Sequence, residues 1–192
     1  MSDILNNMHT RWLFPLLLVV ALLFVWLIYR RYFMARSGID RVLNTVAFER
    51  MDGLVLPNGD EGVIQIDHLL LTSQGLLVLH VKEAPGKVFG GDKMQDWTVI
   101  AADRRYTFSN PQHALYDRIA AIRQIVRDVP VEGRILFLEG SEFAKGVPDL
   151  VCLPDELIGQ FSDVDKAAGK RKVESFMPHW ERLAKHSVAG HP

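Results

Sequence analysis

The sequence predicts an α/β protein: one mixed domain, preceded by a single apolar helix. Three observations carry this. An 18-residue run without a charge stands near the N-terminus. Two apolar, strand-like segments follow each other across a tight turn. A long helix beginning at an Asn-Pro pair then gives way to a further strand. The 192 residues hold 22 Lys plus Arg, 23 Asp plus Glu and 48% hydrophobic residues. That balance excludes a disordered chain, a basic nucleic-acid arm and a collagen-like fibre. A single cysteine, Cys152, excludes an intrachain disulfide framework and a paired-cysteine metal knuckle.

Residues 12–29 read WLFPLLLVVALLFVWLIY. As a helix they span roughly 27 Å, close to the thickness of a bilayer core. Pro15 falls in the first turn, where its missing N–H costs little. Trp12 marks one end, with Trp26, Tyr29 and Tyr32 at the other. Arg30, Arg31, Arg36 and Arg41 flank the C-terminal side. The positive-inside rule then places the short N-terminus, 1–11, outside an inner or plasma membrane. The soluble domain lies in the cytoplasm. Residues 30–36 form a basic juxtamembrane segment suited to anionic lipid. The expected domain covers 37–185, with a frayed tail over 186–192.

Within 37–51, Ile39, Val42, Leu43, Val46 and Ala47 share one helical face, and Gly53 ends the helix or starts a turn. A short strand over 54–56 precedes the turn at Pro57–Asp60. VIQIDHLLLT (63–72), the turn Ser73-Gln74-Gly75 and LLVLHVKE (76–83) make a β-hairpin apolar enough to lie centrally in a sheet. A short strand is expected near Val88–Phe89. Asn110 caps a helix that has Pro111 at its first position and reaches about Asp128. Strands are expected over 135–139 and 148–153, then helices over 155–161 and 163–173, with Pro178 as a breaker.

Side chains alternate faces along a strand. Gln65 and Asp67 therefore share a face of the first hairpin strand, as His80 and Lys82 do of the second. Charged groups in apolar strands are costly unless partnered. The tight turn lets the four converge. A structural Asp67–Lys82 pair with His80 hydrogen-bonded, and a catalytic cluster, both satisfy the spacing. His68 points the other way and reads as structural; Trp97 and Trp180 read as core.

The stretch LPNGDEGVIQIDHLLLTSQGLLVLHVKEAPGKVFGG, with Trp97 and Asn110-Pro111-Gln112, resembles the nuclease-related domain family, often called NERD. The resemblance covers roughly residues 37–140. It implies a restriction-endonuclease-like mixed sheet flanked by helices, of the PD-(D/E)xK type. It also implies metal-dependent phosphodiester hydrolysis on DNA or RNA, with Mg²⁺ or Mn²⁺. By position, Asp67 matches the metal-binding aspartate, Lys82 the catalytic lysine and Gln65 the neighbouring glutamine. His80 departs from the pattern by occupying the place of the second acid, so the metal set implied is Asp67, His80 and an upstream acid. Asp40 is the first candidate for that acid and Glu49 the second. Arg104, Arg105, Arg118 and Arg123 are candidate phosphate contacts. The expectation is a membrane-anchored domain with a degenerate nuclease site. It binds nucleic acid or a protein partner with little or no cleavage. An active metal-dependent nuclease and a purely structural or interaction domain at the membrane are the alternatives.

Overall fold

The computed structural model describes residues 17–27, 29, 38–57, 62–163 and 166–187. The chain divides into two compact units, Met1–Arg41 and Val42–Pro192. In the first, helix α1 runs over 17–27 with every side chain exposed. Among the described residues, no helix is long and apolar enough to cross a membrane. The apolar run expected to span lies only partly within that set: residues 12–16 and 28 are outside it, as are Arg30, Arg31 and Arg36.

Helix α2 covers 38–46. The sequence spacing favours a helix to residue 51, but the helix stops at Val46. The Phe48 N–H turns instead to the Leu71 carbonyl, at 2.8 Å. Residues Glu49–Pro57 then form β1, paired antiparallel with β2, Val63–Thr72. The short strand expected at 54–56 is thus nine residues long. Pairing along β2 and burial of Leu54 and Leu56 outweigh the weaker helical preference. Gly53, expected at a helix end, lies inside β1 at φ 65°.

The hairpin forms as the alternation dictates. β2 and β3 (Gly75–Lys82) pair antiparallel around Ser73 and Gln74, with Thr72 opposite Gly75. Gly75 has φ 129°, and a Cβ there would lie 2.3 Å from the Pro130 carbonyl oxygen, so the position requires glycine. Three short strands follow: β4 (Gly86–Phe89), β5 (Asp96–Ile100) and β6 (Arg105–Ser109). Helix α3, Pro111–Ile125, starts at Asn110, whose side chain accepts the Gln112 N–H at 2.9 Å. After it come β7 (Val131–Phe137), β8 (Ser141–Phe143) and β9 (Val151–Cys152).

Two mixed sheets result. The larger has the order β1-β2-β3-β7-β9, with β3, β7 and β9 parallel; the smaller has β6-β5-β4-β8. Leu115, Ile119 and Ile122 of α3 are buried in the same core as Leu69, Leu71, Leu76 and Val78 of the hairpin. Gly133 of β7 allows that approach, since a Cβ there would come within 2.6 Å of Ile119 Cδ1. Trp97 is fully buried, stacked on Phe137 and edge-on to Phe143.

Helix α4 is Pro154–Phe161; the Glu156 carboxylate accepts the Leu153 N–H at 2.8 Å at its start. Helix α5, Lys166–His186, runs through Pro178 rather than breaking there. Burial of Val173, Trp180 and Leu183 on both sides of the proline holds the two halves in one helix. His186, where a frayed tail was expected to begin, is the last residue of α5, and residues 188–192 of that expected tail lie outside the described set.

Candidate functional site

The two-residue turn fixes which hairpin side chains meet. The paired register of β2 with β3 ends at His68 opposite Leu79, and the next residue on each strand, Asp67 and His80, lies just past it. Asp67 and His80 are in direct contact, His80 Nδ1 to Asp67 Oδ2 at 2.5 Å. Both are partly accessible: the Asp67 side chain is 32% exposed and that of His80 20%. Charge-assisted hydrogen bonds are the short, strong ones. The hydrogen bond from His80 holds the Asp67 carboxyl below its ordinary range. Burial opposes this, and the charges of His80, Arg118 and His68 reinforce it.

Arg118 comes from α3. Its Nε donates to the Gln65 carbonyl at 2.7 Å, while its buried Nη1 has no hydrogen-bond partner. Lys82 takes another route: its Nζ lies 4.4 Å from the centroid of the Phe108 ring. The Asp67–Lys82 pair that the spacing allows is not the contact formed; His80 is the aspartate's partner. On the opposite face of β2, His68 bonds Asp52 across the strand pair at 2.7 Å, the structural role expected of it.

The remaining candidates are placed as follows. Asp40 belongs to the first unit, on α2. Glu49 lies on β1 opposite Leu71, whereas Asp67 falls between Ile66 and His68, the partners of Leu54 and Asp52, level with Gly53. Four residues of strand, roughly 13 Å, separate Glu49 from that position. It is a strand residue, not the helical acid expected. Arg104 lies over the Tyr106 ring, and Arg105 begins β6. Arg123 donates to the Val131 carbonyl at 2.8 Å. Among the described residues, no group of three His, Cys, Asp or Glu converges to hold a metal ion. A divalent ion such as Mg²⁺ asks for several oxygen ligands, and one oxygen of Asp67 already serves His80. The donor set at Asp67 does not fit such an ion.

Two features escape a sequence reading. One is the bond to β2 made by Arg118, a candidate phosphate contact by sequence, which depends on how α3 packs. The other is the network at the start of α3. Gln112 is buried and donates to Asp92 Oδ1 at 2.7 Å and to the Asp149 carbonyl at 2.6 Å. Asn110 donates to the Met94 carbonyl at 2.9 Å and to Gln112 Oε1 at 3.1 Å. Asp92 also accepts the Asp149 N–H, and these bonds hold its carboxyl below the ordinary range, Gln112 foremost. Asn110-Pro111-Gln112 is thus the clasp joining three loops. A groove of about 730 Å³ between α3, β7 and α4 includes none of Gln65, Asp67, His80 or Lys82.

The fold is a mixed α/β domain with its polar cluster on a central hairpin. A family model described as nuclease-related domain matches residues 36–138. The chain belongs to this family. An uncharacterized protein of Bacillus anthracis is 32% identical over 62 residues, 32% of this chain and 29% of that protein. The match thus spans under a third of that relative's length. No solved structure matches.

Proposed function

We propose that this nuclease-related domain binds the phosphate backbone of DNA or RNA and cleaves it slowly or not at all. The observation that carries the reading is the Asp67–His80 hydrogen bond, at the position where the family resemblance leads one to expect a second acid. A nuclease of this type needs its aspartate open toward a metal, with other oxygen donors beside it. Here the carboxylate is engaged by an imidazole. Lys82 shares its face of the hairpin, and Arg118 lies close enough to lower its pKa. One carboxylate against two permanent cations makes an anion-seeking site, suited to a phosphate. Lys82 would hold a phosphate oxygen as a point charge, and Gln65 would orient it.

The same reading places the domain at a membrane. The run 12–29 would be the anchor, with the N-terminus outside and the domain in the cytoplasm. The support is the sequence's length, aromatic ends and flanking arginines, together with the uniformly exposed apolar side chains of 17–27.

The test uses the full chain in lipid nanodiscs with labelled DNA and RNA. Binding is read by anisotropy and cleavage by gel, with Mg²⁺, Mn²⁺ or a chelator. Salt-sensitive binding that weakens in Lys82→Ala, with little cleavage by the parent and a gain in His80→Glu, supports the proposal. Brisk Mg²⁺-dependent cleavage by the parent favours the active-nuclease alternative. Absence of binding to either nucleic acid removes both and leaves an interaction domain.

A further inference from the structure

The smaller sheet brings an aromatic row to the hairpin site. Its edge strand is β6. Alternation puts Tyr106 and Phe108, with Arg104 just before the strand, on one side of it. Arg105, Thr107 and Ser109 take the other side and are exposed. Tyr106 and Phe108 lean on the core, yet both remain partly open to solvent.

The rings are held in order. Trp97 packs against Phe108, centroids 6.1 Å apart. The Tyr106 centroid lies 6.4 Å from that of Phe108, with the planes at 35°. Each ring also carries a cation. Lys82 Nζ, from the hairpin, is 4.4 Å from the Phe108 centroid, and the Arg104 guanidinium is 5.4 Å from that of Tyr106. Among the described residues, no carboxylate lies within ion-pairing distance of either cation. The row therefore reads cation, ring, ring, cation, and its Lys82 end is the face that carries His80.

A cation resting on a ring near solvent is a weak contact on a flexible stem. A nucleobase stacked on the same ring gains more, and the displaced cation then meets the phosphate beside it. A basic residue followed by aromatics at alternate strand positions is also how RNA-binding sheets hold unpaired bases. Bases inside a duplex have both faces covered by their neighbours and cannot use such rings. The 6.4 Å step between the rings is wider than the roughly 3.4 Å rise of a stacked strand, so it suits bases splayed apart, one to a ring.

We propose that Tyr106 and Phe108 form a stacking platform for the unpaired bases of single-stranded DNA or RNA, whose phosphates Lys82 and Arg104 hold. The inference rests on the phosphate-binding reading of the hairpin face and names its substrate class, a single strand in preference to a duplex.

The test is fluorescence anisotropy of the full chain in nanodiscs with probes of equal length: single-stranded DNA, single-stranded RNA, a DNA duplex, and a single-stranded abasic DNA that keeps the phosphates but lacks the bases. At least one base-bearing single strand binds about tenfold or more tighter than the abasic strand and the duplex, and the DNA and RNA arms show which is preferred. Tyr106→Leu keeps apolar volume but removes the ring. It loses most of that preference while abasic binding is unchanged, which also shows that the variant is folded. Tyr106→Phe retains the preference. Arg104→Ala weakens base-bearing and abasic strands alike and lowers the salt dependence. Equal binding of base-bearing and abasic strands, or a preference for duplex, overturns the platform and leaves the phosphate-binding reading standing. Absence of binding to every probe overturns both.

Discussion

The Asp67–His80 contact makes a quantitative prediction through a double-mutant cycle of Asp67→Asn, His80→Ala and the double variant. Hydrogen bonds to charged groups contribute about 1.5–3 kcal/mol, but exposed ion pairs contribute about 0–1 kcal/mol. The pair is about a third exposed on the aspartate side and less on the histidine side, so solvent screening discounts the upper range. A coupling energy of about 1 kcal/mol is expected near pH 6. In a domain of this size that is about 2–4 °C in Tm. The pH dependence has a definite sign. The folded-state pKa of Asp67 is depressed below its ordinary value of 3.8, chiefly by the His80 hydrogen bond. Its contribution is present above 3.8 and is lost as pH falls through the lower, folded-state value. The stability gap between parent and Asp67→Asn should therefore hold from pH 7 to about 5 and close on further acidification. Urea unfolding of the full chain in detergent, followed by circular dichroism, measures it. A coupling under about 0.3 kcal/mol, or a gap that widens toward acid, refutes the reasoning.

Four further outcomes follow from the packing. Gly75→Ala forces a side chain into the left-handed region and against the Pro130 carbonyl that accepts the Leu76 N–H, so it should cost more than about 2 kcal/mol by denaturation. Gly53→Ala meets no atom within 4 Å and pays only for its φ, about 1–2 kcal/mol; a ranking in the other order would contradict the stated causes. Gln112→Ala strips partners from Asp92, Asn110 and the Asp149 carbonyl and should cost about 1–3 kcal/mol, with faster amide exchange across residues 92–95; unchanged exchange there speaks against the clasp. Burial pushes the Cys152 thiol up to about 12, so it should resist alkylation at pH 8 until the protein unfolds, as mass spectrometry would show.

The hairpin was legible because two period-two patterns flank a turn whose chemistry sets its length. Once Thr72 faces Gly75, His68 faces Leu79, and Asp67 and His80 are the next residues along the two strands. The sequence also marks Asn110-Pro111 as a helix start, and the cap is there. What it does not mark is set by contacts across the fold. The span 49–53 carries helix-compatible spacing, and only the length of β2 makes it strand. The strands DWTVI and RYTFS are too short to show a period. Pro178 breaks an isolated helix but not one fastened on both sides by core residues. Arg118 reads as a candidate phosphate contact in one dimension, but its bond to Gln65 spans 53 positions in the chain.

That span bears on how the site comes together. Asp67 and His80 are 13 residues apart and close across a two-residue turn. Their contact is within reach of the hairpin alone, on the microsecond scale of such turns. Arg118 reaches Gln65 only once α3, 53 positions further along the chain, docks on the hairpin. The parallel pairing of β3 with β7 waits for the same loop to close. The polar face is therefore assembled in two stages, the acid–imidazole contact first and the guanidinium last. A lesion that slows docking of α3 would leave a population with the pair formed and its cation missing.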